Sequence, residues 1–209
     1  MEEIKIKTII IGDMSVGKTS LARVLSGGLY DPKERCSIGV ELFRLNRISK
    51  DGQRLCFILW DTAGQERYKS LIQGYFRNVD LCILCYDITR FSSFQNIEMW
   101  RNKMIQENPA CKFIMVGNKS DIEHANIFQV SNELSNEYAN KHNMMHVSVS
   151  SRTHDNIEVL IKCMCECINS KLSINNKLSI NGKLSINSKL SINGKLSINS
   201  KLSTSYCCY

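Results

Sequence analysis

Short apolar runs alternate with longer segments of helical spacing along the first 168 residues. This is the βαβ pattern of a mostly parallel sheet covered by helices on both faces. Strands are predicted near 4–11, 40–47, 54–60, 80–86, 112–117 and 144–149, and helices near 18–26, 66–76, 92–106, 128–141 and 154–168. A chain of 209 residues holds one such α/β domain with something left over, and a domain of this size buries a real core.

The remainder lies beyond Asn169, where Lys171-Leu172-Ser173-Ile174-Asn175-Asn176 opens a six-residue repeat that runs five times to Ser200, only its last position varying. Every Leu and Ile from 172 to 202 falls at an even position, a strand-like pattern, and Asn181-Gly182 and Asn193-Gly194 are hairpin-turn pairs. Strands this short are marginal. The repeat therefore reads as a flexible, β-prone linker over 169–206, with an ordered hairpin stack or β-solenoid as the alternative. As a coil it would span roughly 35 Å.

The formal charge of +7 belongs to this tail: six lysines and no acid lie beyond residue 168, leaving 21 basic and 20 acidic side chains in the body. A near-neutral body carries no electrostatic footprint for DNA or RNA, so nucleic acid is not an expected partner. Glu2 and Glu3 start the chain acidic and no run of about eighteen apolar residues occurs, so no signal peptide or membrane span is legible. Ten cysteines, scattered through runs such as Leu81-Cys82-Ile83-Leu84-Cys85, read as reduced thiols of a cytosolic protein. Cys163, Cys165 and Cys167 share the last predicted helix at a spacing that cannot converge on one metal ion. His124, His142, His146 and His154 form no ligand or catalytic spacing.

Gly12-Asp13-Met14-Ser15-Val16-Gly17-Lys18-Thr19 follows the first predicted strand and opens the first helix, the context a phosphate-binding loop requires. Consecutive backbone N–H groups there and the helix N-terminus attract phosphate oxygens. Lys18 is placed to reach β- and γ-phosphates and the Thr19 hydroxyl to bind Mg²⁺. A chance glycine-rich turn is the bland alternative. Asn118-Lys119-Ser120-Asp121 follows the apolar run 113–116 and so projects from a strand's carboxyl end, where such sheets bind ligands. A carboxylate at Asp121 can accept the N1 and N2 protons of guanine. Adenine offers no such pair of donors and would leave the charge unsatisfied.

Trp60-Asp61-Thr62-Ala63-Gly64-Gln65-Glu66 is the third motif, and the order and spacing of the three resemble the Ras superfamily across roughly residues 5–168. The resemblance implies a P-loop NTPase fold of the Ras-like G-domain type over 1–168, a six-stranded, mostly parallel sheet with helices on both faces. It implies GTP and GDP as ligands, Mg²⁺ as cofactor and GTP hydrolysis as the reaction. Asp61 is then expected to hold Mg²⁺ through water, the Gly64 N–H to sense the γ-phosphate, and Gln65 to orient the attacking water.

Flanking residues are similar to the Rab branch: Ser37-Ile38-Gly39-Val40-Glu41-Leu42, Cys56 to Trp60, Tyr75-Phe76-Arg77 and Leu84-Cys85-Tyr86-Asp87-Ile88-Thr89. The resemblance implies a partly exposed effector patch containing Ile38, Gly39, Leu42, Trp60 and Tyr75, with Leu42 standing where the family usually has Phe. Core packing is the other reading of the aromatics. Tyr30, seven residues before Ser37, matches the family's cover on the guanine ring. Ser150-Ser151-Arg152 stands for its last base-contacting loop, usually Ser-Ala-Lys. Ser37 replaces the usual threonine that closes on Mg²⁺, keeping the hydroxyl but losing stiffness. Met14 occupies a position usually small, beside the γ-phosphate and Gln65. Pointing inward it would displace the attacking water and leave a slowly hydrolysing or constitutively GTP-bound effector-binding module; pointing outward it would do nothing.

Cys207-Cys208-Tyr209 is similar to the double-cysteine prenylation sites of Rab proteins. Two geranylgeranyl chains give stable attachment where one is marginal, and the tail lysines add attraction to anionic lipid. The resemblance thus implies a cytoplasmic protein held peripherally on the cytosolic face of an intracellular membrane, a switch in vesicle traffic. Its implied partners are an exchange factor, a GTPase-activating protein, a GDP-dissociation inhibitor, a prenyl-transfer escort protein and effectors.

Overall fold

Leu81–Asp87 is buried at each of its seven positions, which a strand achieves only where both faces of its sheet are covered. It is the fourth strand of a six-stranded sheet in the computed structural model, which describes residues 3–33, 39–62, 74–122 and 129–170. The strands are β1 (Glu3–Ile11), β2 (Val40–Ile48), β3 (Arg54–Thr62), β4 (Leu81–Asp87), β5 (Lys112–Asn118) and β6 (Met145–Ser148), ordered β2-β3-β1-β4-β5-β6. Only β2 runs antiparallel, paired with β3 from Val40 opposite Thr62 to Ile48 opposite Arg54; the other pairings are parallel. Because β1 lies between β3 and β4, the chain leaving β1 emerges where the strand order reverses, the crevice in which open α/β sheets bind ligands.

The helices are α1 (Lys18–Leu25), α2 (Phe91–Gln95), α3 (Ile97–Glu107), α4 (Asn132–Lys141) and α5 (157–170). One sheet face presents Ile9, Ile11, Cys82, Leu84, Tyr86 and Met115 to Phe94, Ile97, Trp100, Met104 and Ala139 of α2, α3 and α4. Alternation turns Ile10, Ile83 and Cys85 to the other face, and α1 packs on β1, β2 and β3. Ile9, Ile10 and Ile11 are wholly buried, each contributing about 2 kcal/mol by its removal from water. α5 buries Ile157, Leu160, Ile161, Met164 and Ile168, the stripe expected of an amphipathic helix. Ser131 caps α4 by accepting from the Leu134 N–H.

The sheet agrees with the sequence expectation within two residues at each strand end. The helix expected over 92–106 is two, divided at Asn96. The last helix starts later than expected because His154 and Asn156 adopt left-handed φ of 66° and 57°. Of the helix expected over 66–76, only 74–76 are described, and they form turns. The repeat over 171–203 and the Cys207-Cys208 pair lie outside the described residues. Among the described residues no helix is long and apolar enough to cross a membrane, and the cysteines are free.

Candidate functional site

The loop between β1 and α1 is shaped by what surrounds it. A β-carbon on Gly17, at φ 92°, would lie 2.3 Å from Asn118 Nδ2, so only glycine fits there. Ser15 also takes a positive φ, 62°. Along this loop each carbonyl from 12 to 17 accepts a hydrogen bond from a neighbouring group. Lys18 Nζ donates to Gly12 O at 3.0 Å and Asp13 O at 2.7 Å. Arg90 Nη2 donates to Met14 O at 2.7 Å and Lys119 Nζ to Ser15 O at 2.9 Å. Asn118 Nδ2 donates to Val16 O at 3.0 Å, and Leu21 N to Gly17 O at 2.9 Å. Across a trans peptide each N–H points opposite to the carbonyl it shares a plane with, and no cis bond occurs among the described residues. Fixing the carbonyls therefore fixes a run of N–H groups, the geometry that binds phosphate oxygens.

Lys18 is buried, and loss of water pulls its pKa below the usual lysine value, against the raising pull of Cys85, Asp61 and Asp13. A cation stripped of water at the start of a helix is a strong partner for phosphate. Beside it, Thr19 Oγ1 donates to Asp61 Oδ2 at 2.6 Å, joining the start of α1 to the end of β3. Cys85, wholly buried beneath the loop, has its thiol pushed up to about 12 by burial.

Asn118 is the strut between loops. Besides holding the phosphate loop, its Oδ1 accepts from the Ser151 N–H at 3.2 Å and hydroxyl at 3.0 Å. Lys119 forms a 2.6 Å ion pair with the buried Asp87. Asp121 Oδ1 accepts from Ser150 Oγ at 2.6 Å, and Arg152 stands 3.9 Å from its other oxygen. Ser150 and Ser151 are buried. Asn118, Lys119, Asp121, Ser150, Ser151 and Arg152 are thus brought together with the loop 13–19. Tyr30 is exposed. Gly64, Gln65, Ser37 and Ile38 lie outside the described residues.

Two site residues behave unlike a simple motif reading. The Asp13 carboxylate does not face the phosphate side: it accepts from Asn96 Nδ2 at 2.8 Å and Trp100 Nε1 at 2.9 Å. Met14 is 50 % exposed and lines a recess of about 390 Å³ with Arg90, Met99, Trp100 and Lys103. Arg90, Asn96 and Trp100 escaped the sequence reading, and Asp87 entered it only as a flanking residue, since only the fold reveals what they reach.

On the sheet edge, Leu42 is exposed and sits opposite Trp60 across the β2–β3 ladder. Trp60 packs on Tyr75 with ring centroids 5.5 Å apart, and Lys7 Nζ lies 4.7 Å above the indole. Phe76 is buried in the core, so for that aromatic the packing reading holds.

A phosphate-type loop at the switch point of a mostly parallel sheet, with a polar base-side loop tied to it, defines a nucleotide-binding α/β protein. The chain matches the Ras family over residues 7–170, and it belongs to that family, as a Rab-like small GTPase. It is 36 % identical to "Ras-related protein Rab-33A" of Mus musculus over 168 residues, covering 76 % of this chain and 68 % of the relative. It is 35 % identical to "Ras-related protein Rab-30" of Homo sapiens over 156 residues, covering 74 % and 75 %. The same identity relates it to "Ras-related protein Rab-18-B" of Danio rerio, covering 73 % and 74 %.

Proposed function

We propose that this chain binds GTP and GDP with Mg²⁺, hydrolyses GTP, and works as a membrane-anchored switch in intracellular vesicle traffic. The observation that carries the reading is the 2.6 Å contact of Thr19 Oγ1 with Asp61 Oδ2 beside the buried Lys18. A hydroxyl and a carboxylate are hard oxygen donors, the chemistry Mg²⁺ prefers, and Mg²⁺ keeps several of its waters. Thr19 would hold the ion directly, with Ser37 as a second hydroxyl and Asp61 acting through water. The bound ion would neutralise charge on the β- and γ-phosphate oxygens.

The protein's own groups do the rest. The N–H groups over 13–19 and that of Gly64 take phosphate oxygens, Lys18 offsets their charge, and Asp121 reads the guanine edge. Tyr30 covers the base, and the 150–152 loop holds Asp121 in place. Gln65 orients the attacking water. The exposure of Met14 favours this hydrolysing switch over a GTP-locked module. Geranylgeranyl groups on Cys207 and Cys208 would anchor the chain to the cytosolic face of a membrane, the repeat over 169–206 serving as the spacer. The Leu42, Trp60 and Tyr75 surface, with Ile38 and Gly39, would meet effectors. An exchange factor, a GTPase-activating protein, a GDP-dissociation inhibitor and a prenyl-transfer escort would serve the cycle, a reading supported by the Rab-named relatives.

Calorimetric titration of purified protein with GTP, GDP and ATP in Mg²⁺ tests the proposal. Guanine nucleotides should bind and ATP should not, and Asp121→Ala should erase the preference. Equal affinity for ATP and GTP would overturn the base assignment. Mass spectrometry of the membrane-bound pool from native cells tests the anchor: unmodified Cys207 and Cys208 there would exclude it.

A further inference from the structure

A carboxylate is an awkward side chain for a loop that must attract phosphates, because it adds negative charge where anions bind. Asp13 is such a residue, and both of its oxygens are engaged. Oδ2 accepts from Asn96 Nδ2 at 2.8 Å and Oδ1 from Trp100 Nε1 at 2.9 Å. Asn96 and Trp100 are four residues apart, so they present one face at the junction of α2 and α3. From the same segment Arg90 Nη2 donates to the Met14 carbonyl at 2.7 Å.

Asn96 forgoes a local role to do this. It occupies the N-cap position of α3, where an asparagine ordinarily accepts from the first-turn N–H groups, yet it makes no side-chain cap bond. Trp100 is almost fully buried, so its N–H needs a partner, and Asp13 supplies it.

We infer that Asn96 and Trp100 are positioning residues of the phosphate loop, acting through the Asp13 carboxylate. They turn that charge away from the phosphates and fix the Asp13–Met14 half of the loop. The other half is fixed independently, by Asn118 on Val16 and Lys119 on Ser15. The loop is therefore held from two sides, and the α2–α3 side governs its first half. Loosening that side misaligns the N–H groups over 14 and 15, which shortens nucleotide residence. The inference rests on the guanine-nucleotide reading of the site.

The test is the release rate of fluorescent GDP and GTP analogues from the full chain in Mg²⁺. Trp100→Phe keeps an aromatic ring in the core while removing the N–H together with the indole's second ring. Combined with Asn96→Ala, it should speed release by about tenfold, the worth of losing charge-assisted hydrogen bonds. Adding Asp13→Ala to that pair should not speed release further, because it removes the carboxylate that the pair no longer holds away from the phosphates.

The reciprocal exchange Asp13→Asn with Asn96→Asp keeps both hydrogen bonds with donor and acceptor swapped at one of them. It should return release to within about threefold of wild type, whereas Asn96→Asp alone, which sets two carboxylates against each other and loses the donor, should not. Wild-type release rates in the paired variant, or an exchange variant no slower than Asn96→Asp, would overturn the inference. Should the paired variant fail to fold, the exchange comparison decides alone. A wild-type chain that holds no guanine nucleotide would instead sink the site reading.

Discussion

A β-carbon on Gly12 would lie 2.0 Å from the carbonyl oxygen of Cys85. The first residue of the phosphate loop thus rests directly on the end of β4, and backbone cannot yield as a side-chain tip can. Gly12→Ala should cost more than about 3 kcal/mol, the range of severe core strain, and should abolish nucleotide retention. Gly27 is the control: it shares a positive φ, 89°, but a β-carbon there meets nothing within 4 Å. Gly27→Ala should cost about 1 kcal/mol from backbone strain alone. Urea denaturation followed by circular dichroism measures both.

The Thr19–Asp61 contact predicts how the complex responds to metal removal. If these oxygens cradle Mg²⁺, chelation with EDTA should speed GDP release by at least about tenfold, and Thr19→Ala should make release fast and nearly insensitive to chelator. A stopped-flow trace unchanged by EDTA in wild type would contradict the assignment.

The central strands were legible because their apolar runs are short, bounded and largely buried, β4 at every position. The loop 12–19 and Asp121 were legible for another reason: fixed spacing along the chain mirrors fixed spacing around a nucleotide. Asn118 was only half legible. Its motif announced a base-reading residue, but its hold on Val16 and on Ser151 spans 102 and 33 residues of chain. Nothing in the sequence marks Asn96 and Trp100, since reaching Asp13 depends on how α3 docks on the sheet. The break at Asn96 was equally silent, because the helical period continues through it.

His146 predicts a pH dependence unrelated to the nucleotide. Its Nε2 lies 3.0 Å from Tyr86 Oη and its Nδ1 2.9 Å from Asn136 Oδ1. Burial lowers its pKa from 6.5 to about 4. The folded state therefore resists the proton that the unfolded chain accepts, and the unfolded state is favoured as pH falls from about 6.5 to about 4. Roughly 2 kcal/mol of stability should be lost over that window, discounted for the ring's partial exposure. Urea midpoints at pH 7.5 and 4.5 would measure it, and His146→Gln should shrink the difference. An unaltered difference would show that other groups carry the acid sensitivity.

Met14 and Gln65 are separated by one single-turnover GTP hydrolysis assay, with nucleotide loading checked for each protein. Met14 is half exposed and lines the recess with Met99 and Trp100, so its thioether has room away from the loop. Met14→Ser should therefore change the rate by less than about threefold. An acceleration of about tenfold or more, equivalent to at least about 1.4 kcal/mol of barrier, would place the side chain against the attacking water instead. Gln65→Leu keeps comparable bulk but loses the amide, and it should slow turnover by at least about tenfold if that amide orients the water. A rate unchanged in Gln65→Leu would remove the water-orienting role, since a leucine can neither donate to nor accept from the attacking water.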